Sequence, residues 1–300
     1  MRRCFTINVA AGCAHGFLYC YARGYKSYPG DGCVEVYSNL PRLLHDELSR
    51  KRSLPPAVNF CSTTDAFQPV EQVQQISREL MQMLLKRRVN ISFLTKGAIS
   101  RQTMDMLLHH RHLVHARIGL LSADQNVVDL IEPHAAPVSV RLEQARELAQ
   151  AGLDVSVRID PMLPGLTDAD EHMERLLVAI AGTAVKDVGL SYLFVRGYIR
   201  RKFLAAQRRS LEIMLRHYDR GVKMSLLGRD EKQRSMVNAL PADYRRAAHV
   251  RIAAIAARLG IRCHICGCKN HDITIASCQV IGANKESPES AGPLFAAMQA

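Results

Sequence analysis

Between residues 5 and 217 the chain repeats a strand, a loop and a helix about six times. The strands are short runs rich in β-branched and aromatic residues, and the helices carry apolar residues at three- and four-residue spacing. Strands are predicted at 5–11, 57–61, 89–94, 114–121, 155–159 and 188–194, and helices at 40–51, 70–87, 101–110, 124–131, 140–151, 168–181 and 202–217. This alternation predicts an α/β fold with a parallel sheet, either an open doubly wound sheet or a full or partial β/α barrel.

Polar residues gather directly after the predicted strands, where α/β folds place their sites. They include Ser62, Thr64, Asp65, Lys96, Asp160 and Arg196, together with the loop that contains Cys13 and Cys20. Because parallel strands end at one edge of a sheet, we expect these side chains to share a pocket.

The length and the hydrophobic content of the chain limit the number of domains that it can form. The 300 residues, 48% of them hydrophobic, suffice for one large domain or for one domain plus an appendix. We predict a barrel over 1–220, a helical and cysteine-rich extension over 221–283 and a disordered tail over 284–300.

Forty Lys and Arg against 28 Asp and Glu give a net charge of +12. This excess favours an anionic partner, with nucleic acid as the first candidate and a basic surface without such a partner as the alternative.

Nine cysteines fall into two groups that are separated by about two hundred residues without a cysteine. The first group is Cys4, Cys13, Cys20, Cys33 and Cys61, and the second is Cys263, Cys266, Cys268 and Cys278. Clustered thiols indicate metal binding and a reducing compartment rather than a disulfide framework. We therefore expect a cytoplasmic protein, and the absence of a long apolar run predicts no membrane-spanning helix.

The loop after the first strand carries a recognisable pattern. Residues 12–22 read Gly-Cys-Ala-His-Gly-Phe-Leu-Tyr-Cys-Tyr-Ala. They resemble the pattern Gly-Cys-x-His-x-Cys-x-Tyr-Cys-Tyr-Ala of a branch of the radical S-adenosylmethionine superfamily that is similar to spore photoproduct lyase. Only the middle cysteine fails to match, and Phe17 stands in its place. Further segments resemble the same branch in the expected order: Thr64–Glu71, Leu94–Lys96, Glu132-Pro133, Arg141-Leu142 and Pro161–Asp168. The resemblance covers about two hundred residues and implies a partial (β/α)6 barrel with a C-terminal cysteine-rich extension.

The resemblance also implies cofactors. In such enzymes three cysteine thiolates hold a [4Fe–4S] cluster, and S-adenosylmethionine chelates the remaining iron and is cleaved to a 5′-deoxyadenosyl radical. Cys13 and Cys20 are the cluster ligands that the resemblance assigns. The cofactor-binding residues are expected to be Tyr19, Ser62, Thr64, Asp65, Lys96 and Arg141, with Asp65 suited to the ammonium group of S-adenosylmethionine and Lys96 to its carboxylate. The implied activity is radical chemistry on an unidentified substrate, with nucleic acid a candidate, and the implied electron donor is a flavodoxin or a ferredoxin.

Phe17 leaves three hypotheses open, because its benzyl side chain cannot ligate iron. The chain is a non-catalytic relative that has lost the cluster, or another thiol such as Cys61 or Cys33 completes the site, or Phe17 is a local peculiarity of an active lineage. The sequence favours an enzyme, and the alternative is a non-catalytic relative or binding module that keeps the barrel and a C-terminal zinc or iron–sulfur site.

The second cysteine group, Cys263-x2-Cys266-x-Cys268-x9-Cys278, has a spacing that suits a zinc ion or an auxiliary iron–sulfur cluster. Free thiols without metal are the alternative.

Two further runs of polar residues are each compatible with a solvated surface: His109, His110, His112 and His115 near the end of a helix, and Arg196, Arg200, Arg201 and Lys202 after the sixth strand. The second run is also a candidate for phosphate contacts.

Overall fold

The computed structural model describes residues 5–226, 235–265 and 269–273. The strands are β1 (Phe5–Ile7), β2 (Ala10–Ala11), β3 (Glu35–Val36), β4 (Ala57–Phe60), β5 (Asn90–Thr95), β6 (Val114–Gly119), β7 (Asp154–Met162), β8 (Asp187–Tyr192), β9 (Val222–Leu226), β10 (Ser235–Ala239) and β11 (Arg262–Ile265). The α-helices are α1 (Leu40–Arg50), α2 (Glu71–Lys86), α3 (Arg101–His109), α4 (Gln125–Ile131), α5 (Val138–Gln150), α6 (Asp170–Ala181), α7 (Gly197–Ala205), α8 (Arg209–Arg216) and α9 (Ala242–Arg258).

Seven of these strands form one parallel sheet in the order β1-β4-β5-β6-β7-β8-β11. The order follows the chain without a reversal, whereas a doubly wound sheet reverses at a switch point. The sheet is therefore singly wound, and β1 and β11 are its two edges, so the barrel is open. This confirms the predicted partial barrel and excludes the doubly wound alternative.

The helices cover the sheet through apolar faces at the predicted spacing. In α2, Val73, Leu80 and Leu84 are fully buried, and burial of each such side chain contributes about 1.5–3 kcal/mol. Ser100 begins α3 by accepting a hydrogen bond from the backbone N–H of Thr103. The core therefore lies between sheet and helices and leaves the strand ends free for a site.

The elements differ from the predictions at the two ends of the barrel. The first predicted strand divides, because Ala10 and Ala11 pair antiparallel with β3 and not with the main sheet. The helix predicted over 202–217 is two helices, α7 and α8, separated at Gln207, whose φ of 50° is left-handed. The hairpin of β9 and β10 was not predicted.

The seventh strand, β11, was not predicted and lies within the stretch predicted as a helical and cysteine-rich extension. It pairs parallel with β8, in register from Arg262 opposite Asp187 to Ile265 opposite Leu190. The Arg262 guanidinium lies 2.7 Å and His264 Nε2 3.0 Å from carboxylate oxygens of Asp187, which fixes this register. The extension thus contributes a strand to the barrel sheet, while the proposed division into domains stays a prediction.

Several predictions concern residues outside the described ranges, namely the metal ligands Cys266, Cys268 and Cys278 and the tail 284–300. Cys263 is described and lies in β11 as a half-buried free thiol. Within the described part of the chain, the helices are too short or too polar to cross a membrane.

Candidate cofactor-binding site

The loop that contains Cys13 and Cys20 lies over the carboxyl ends of the strands and is held there by hydrogen bonds. The Ala14 N–H donates to Gln68 Oε1 at 2.7 Å, and the Thr64 hydroxyl donates to the Gly12 carbonyl at 2.6 Å. Gly12 has a φ of +80°, and a Cβ on it would lie 2.2 Å from the Cys33 carbonyl oxygen. Only glycine fits this turn, so the sequence of the loop dictates its path.

Asp65 connects the loop to β5 through a carboxylate that is 6% exposed. It accepts hydrogen bonds from the Thr95 hydroxyl at 2.8 Å and from the backbone N–H groups of Phe67 and Lys96 at 2.8 and 2.9 Å. His15 Nε2 lies 3.2 Å from the second oxygen. Burial raises the pKa of Asp65, but these hydrogen bonds and His15 outweigh it and hold the pKa below its usual value. Asp65 is therefore an anionic anchor whose hydrogen-bonding capacity is largely used within the protein.

Three other polar side chains near the mouth meet around Glu132, a carboxylate that we did not assign to the site. Its side chain accepts hydrogen bonds from the Tyr19 hydroxyl and, at 2.8 Å, from Arg141 Nη1. Lys96 Nζ lies 3.9 Å from the same carboxylate. Burial lowers the pKa of Lys96, against the opposing effects of Glu132 and Asp160. Tyr19, Lys96 and Arg141, predicted separately as cofactor-binding residues, thus form one buried ionic cluster.

The guanidinium group of Arg141 has more hydrogen-bond donors than this cluster uses. Its side chain is fully buried, and Nη1 serves both Glu132 and the Gly119 carbonyl, the latter at 2.8 Å. Among the described residues, Nε and Nη2 have no hydrogen-bond partner. A buried N–H group without a partner costs about 1–3 kcal/mol, so these two donors mark a position where an anionic ligand group is favourable.

Gly119, at the end of β6, makes room for Lys96. A Cβ on Gly119 would lie 2.6 Å from Lys96 Cγ and 2.9 Å from Nζ. The Lys96 side chain therefore crosses directly over the Gly119 backbone, and Nζ reaches the Asp160 carbonyl at 3.3 Å. This packing places the Lys96 ammonium group at the carboxyl ends of β5, β6 and β7.

Phe17 occupies the centre of an aromatic column above Lys96. Its ring stacks on His15 with centroids 5.0 Å apart and on Tyr19 with centroids 5.4 Å apart. Lys96 Nζ lies 5.4 Å from the Phe17 centroid and 5.5 Å from the Tyr19 centroid, within cation–π range. The phenylalanine is thus integrated into the site as a packed residue.

The thiols do not form a complete ligand set among the described residues. Cys13, Phe17 and Cys20 line one small recess, so two thiols and one ring face the same space. Cys33 is exposed, and Cys61 is buried at the end of β4. Burial raises the pKa of Cys13 to about 12 and also raises that of Cys61. No three His, Cys, Asp or Glu side chains come together as a metal site in the described ranges, so these residues do not fit a three-thiolate cluster.

Lys269, which lies between Cys268 and Cys278 of the second cysteine group, reaches the same mouth. Lys269 Nζ lies 2.9 and 2.7 Å from the two carboxylate oxygens of Asp160 in β7, and Arg158 Nη2 is 3.3 Å away from one of them. Burial raises the pKa of Asp160, but Lys269 and Arg158 lower it to about 2. Ser62, a predicted cofactor residue, is placed at this mouth by its carbonyl, which accepts from the Tyr21 hydroxyl.

Comparison with known proteins agrees with this geometry. The family model of spore photoproduct lyase matches residues 3–235. The chain belongs to the spore photoproduct lyase family. Spore photoproduct lyase and the related named proteins are radical S-adenosylmethionine enzymes. The resemblance inferred from the loop, the open barrel and the assignment to a family of enzymes are therefore confirmed.

Two relatives show how far the similarity extends. An uncharacterized protein of Mycobacterium tuberculosis is 30% identical over 262 residues, which are 83% of this chain and 77% of that protein. The radical SAM Nα-GlyT isomerase of Pseudomonas phage M6 is 25% identical over 194 residues, which are 63% of this chain but 40% of the phage protein.

Two solved structures share the fold at low identity. A spore photoproduct lyase variant with bound AdoMet and dinucleoside spore photoproduct has a TM-score of 0.61 and 15% identity, covering 87% of this chain and 75% of that one. SuiB of Streptococcus suis, bound to S-adenosylmethionine, has a TM-score of 0.54 and 11% identity, covering 87% and 50%. At these identities the likeness establishes the fold alone.

Proposed function

We propose that this chain binds S-adenosylmethionine at the mouth of the barrel, and that Phe17 keeps its loop from holding the three-thiolate cluster of the family's enzymes. The observation that carries the proposal is the position of Phe17. Its ring faces the recess of Cys13 and Cys20 and stacks over Lys96, while the buried cluster around Glu132 is intact. The cofactor-binding side chains are thus retained around an incomplete ligand set.

Binding of the cofactor is supported by the buried cations beneath the loop. The methionyl carboxylate of S-adenosylmethionine is a suitable partner for the unpaired donors of Arg141 and for the Lys96 ammonium group. Hydrogen bonds between ionised groups in a buried site are about twice as strong as neutral ones. The two related structures described above contain this cofactor under its two names.

In the family's enzymes the cluster supplies the electron that cleaves S-adenosylmethionine. With two loop thiols, the described residues of this chain offer no third ligand for that cluster. We therefore propose cofactor binding without cleavage for the protein as it stands. The substrate, a flavodoxin or ferredoxin donor, the C-terminal metal and a cytoplasmic location stay predictions.

Isothermal titration of S-adenosylmethionine into the full chain tests the binding. We expect a measurable affinity in the wild type and a loss of about tenfold or more in Lys96→Met, which keeps the length of the side chain but removes its charge. Lys86→Met, at the exposed end of α2, is the matched control and should bind like the wild type. Absence of binding in the wild type, or equal binding by a folded Lys96→Met variant, would contradict the proposal.

A second candidate function, an active radical enzyme with a third thiolate from outside the loop, is favoured by one contact. Lys269 pairs with Asp160 at the mouth, and Lys269 follows Cys268 directly in the sequence. Anaerobic reconstitution of a Cys266→Ser/Cys268→Ser variant tests it, with Cys33→Ser as the control for an exposed thiol. A wild-type cluster that only the double variant loses would favour the second candidate over the first.

A further inference from the structure

The end of the sheet opposite the mouth is built from three neighbouring loops. Residues 50–56, 86–89 and 109–113 precede β4, β5 and β6, which are adjacent in the sheet. Parallel strands lie about 4.8 Å apart, so the three loops emerge side by side. Two hydrogen bonds join the first two loops, from the backbone N–H and the side-chain amide of Asn90 to the Pro56 carbonyl, at 3.3 and 2.9 Å.

These loops are strongly basic and contain no Asp or Glu. We call residues 50–52, 86–88 and 109–112 the basic face. Its members are Arg50, Lys51, Arg52, Lys86, Arg87, Arg88, His109, His110, Arg111 and His112. Lys51 pairs with Glu47 at 3.6 Å, and in the described part of the chain the other Lys and Arg of the face form no ion pair. Burial and the neighbouring His109 and Lys86 lower the pKa of His110, which agrees with a positive local potential.

The dipoles of the helices that end here explain only part of this charge. Arg50, Lys86 and His109 lie in the last turns of α1, α2 and α3, where a cation is favourable for any helix. Arg52 lies beyond the end of α1, Arg111 lies beyond the end of α3 in a short 3₁₀ helix (Arg111–Leu113), and both are exposed. Their charge is therefore not required by the helices.

Arg88 shows most clearly that the basic face is not a by-product of folding. The Arg88 N–H donates to the Leu85 carbonyl and the Val89 N–H donates to the Leu84 carbonyl, which ends α2 in a turn where glycine is usual. Arg88 adopts this turn with a φ of 60°, a conformation that is unfavourable for residues with a Cβ. An exposed arginine thus occupies a position where glycine is the more stable choice.

We propose that the basic face binds the phosphate backbone of a nucleic acid, at the end of the barrel opposite the cofactor site. Five of its seven Lys and Arg residues are arginine, whose planar guanidinium group suits phosphate. Two strand spacings span about 10 Å, which corresponds to roughly three phosphates of one strand. An anionic membrane is a weaker match, because Leu54 is the exposed large apolar residue of these loops and interfacial anchors require a larger apolar surface.

Fluorescence anisotropy with a labelled duplex DNA of about 20 base pairs, at about 50–200 mM salt, tests this proposal without any cofactor. Three variants each remove three positive charges. The basic-face variant is Arg52→Gln/Arg88→Gln/Arg111→Gln, the control on α6 and α9 is Arg175→Gln/Arg246→Gln/Arg258→Gln, and the α7 variant is Arg200→Gln/Arg201→Gln/Lys202→Gln. Since no cofactor is present, the result is independent of the function proposed above.

We expect the basic-face variant to lose affinity about tenfold or more and to reduce the slope of log K against log salt by about 2 to 3. The control should change affinity by less than about twofold. Equal losses in the basic-face variant and the control would show that net charge alone binds DNA, and a loss confined to the α7 variant would place the contact elsewhere. Either result overturns the proposal, as does a wild type that binds phosphatidylserine vesicles but not DNA.

Discussion

The two ends of the barrel sheet treat charge in opposite ways. At the mouth the carboxylates of Asp65, Glu132 and Asp160 are largely buried, and each is paired with cations or with N–H and O–H donors. On the basic face the cations are mostly exposed, and apart from the pair of Lys51 with Glu47 its Lys and Arg form no ion pair within the described ranges. A buried charge needs a partner because desolvation costs several kcal/mol, whereas an exposed cation stays hydrated and acts on large anions at a distance. The mouth is therefore suited to one small charged ligand, and the opposite face to a polyanion.

The largest expected effect comes from breaking the buried pair at the mouth. Glu132→Gln leaves the Arg141 guanidinium buried without its anion, and loss of one partner from such a pair costs about 3–5 kcal/mol. Glu143→Gln removes the partner of Arg146 from an exposed pair and should cost at most about 1 kcal/mol. Urea unfolding of the two variants measures the difference, and equal small losses would contradict the buried pairing.

The second expected effect is a dependence of stability on pH. The pKa of Asp160 is lowered from 3.8 to about 2. A lowered folded-state pKa stabilises the fold above the unfolded pKa of about 4, and this stabilisation is lost as the pH falls through about 2. The shift corresponds to about 2 kcal/mol at neutral pH.

Asp160→Asn should therefore lower the free energy of unfolding at pH 7 and flatten its decline between about pH 5 and 2. Lys269→Met should do the same in part, because the ammonium group of Lys269 is the largest cause that lowers the pKa. Unfolding at several pH values gives the curves. A pH profile identical to that of the wild type would show that the Lys269 contact does not form in solution.

A third prediction concerns the space beside Lys96. In Gly119→Ala the added methyl group would collide with the Lys96 side chain and displace its ammonium group. We expect the affinity for S-adenosylmethionine to fall about tenfold, equivalent to about 1.4 kcal/mol. Gly182→Ala is the matched control, since its Cβ would make only an ordinary contact at 3.5 Å. Equal affinity of both variants for S-adenosylmethionine would show that Lys96 does not contribute to its binding.

The smallest expected effect separates stability from binding on the basic face. Arg88→Gly relieves the backbone strain at a left-handed position and should stabilise the fold by about 0.5–1 kcal/mol. The same substitution should weaken DNA binding, because it removes one phosphate contact. Arg87→Gly, at a φ of −94°, removes the same charge without relieving strain and should not stabilise. Thermal unfolding and anisotropy of both variants check this. Stronger DNA binding by Arg88→Gly would contradict the role of Arg88.

The sequence predicted the architecture well because the strands and helices show strong local periodicity. It missed β11 for a physical reason: four residues, Arg262–Ile265, become a strand only by pairing with β8, a partner about seventy residues away. The break between α7 and α8 depends on the left-handed backbone of Gln207, for which the residue itself gives no signal.

The site residues that directly follow strands were easier to predict from the sequence than those in other parts of the chain. Asp65 and Lys96 were expected at one edge, and the structure brings their residues into direct hydrogen-bond contact. Glu132 directly follows helix α4, so a search of strand ends does not find it, and only the resemblance at Glu132-Pro133 pointed to it. The contact between Lys96 and the Phe17 ring joins residues that are distant in the sequence, and only the folded chain shows it.

The central claim, that Phe17 denies the loop its third ligand, is tested most directly by counting iron and sulfide per chain after anaerobic reconstitution. Phe17→Cys restores the thiol, and Phe17→Ala removes the ring without adding a ligand. We predict that Phe17→Cys binds about four more irons per chain than the wild type and Phe17→Ala, and that it alone releases 5′-deoxyadenosine. A wild-type protein that loads as much iron and sulfide as Phe17→Cys would contradict the account and show that another residue completes the cluster.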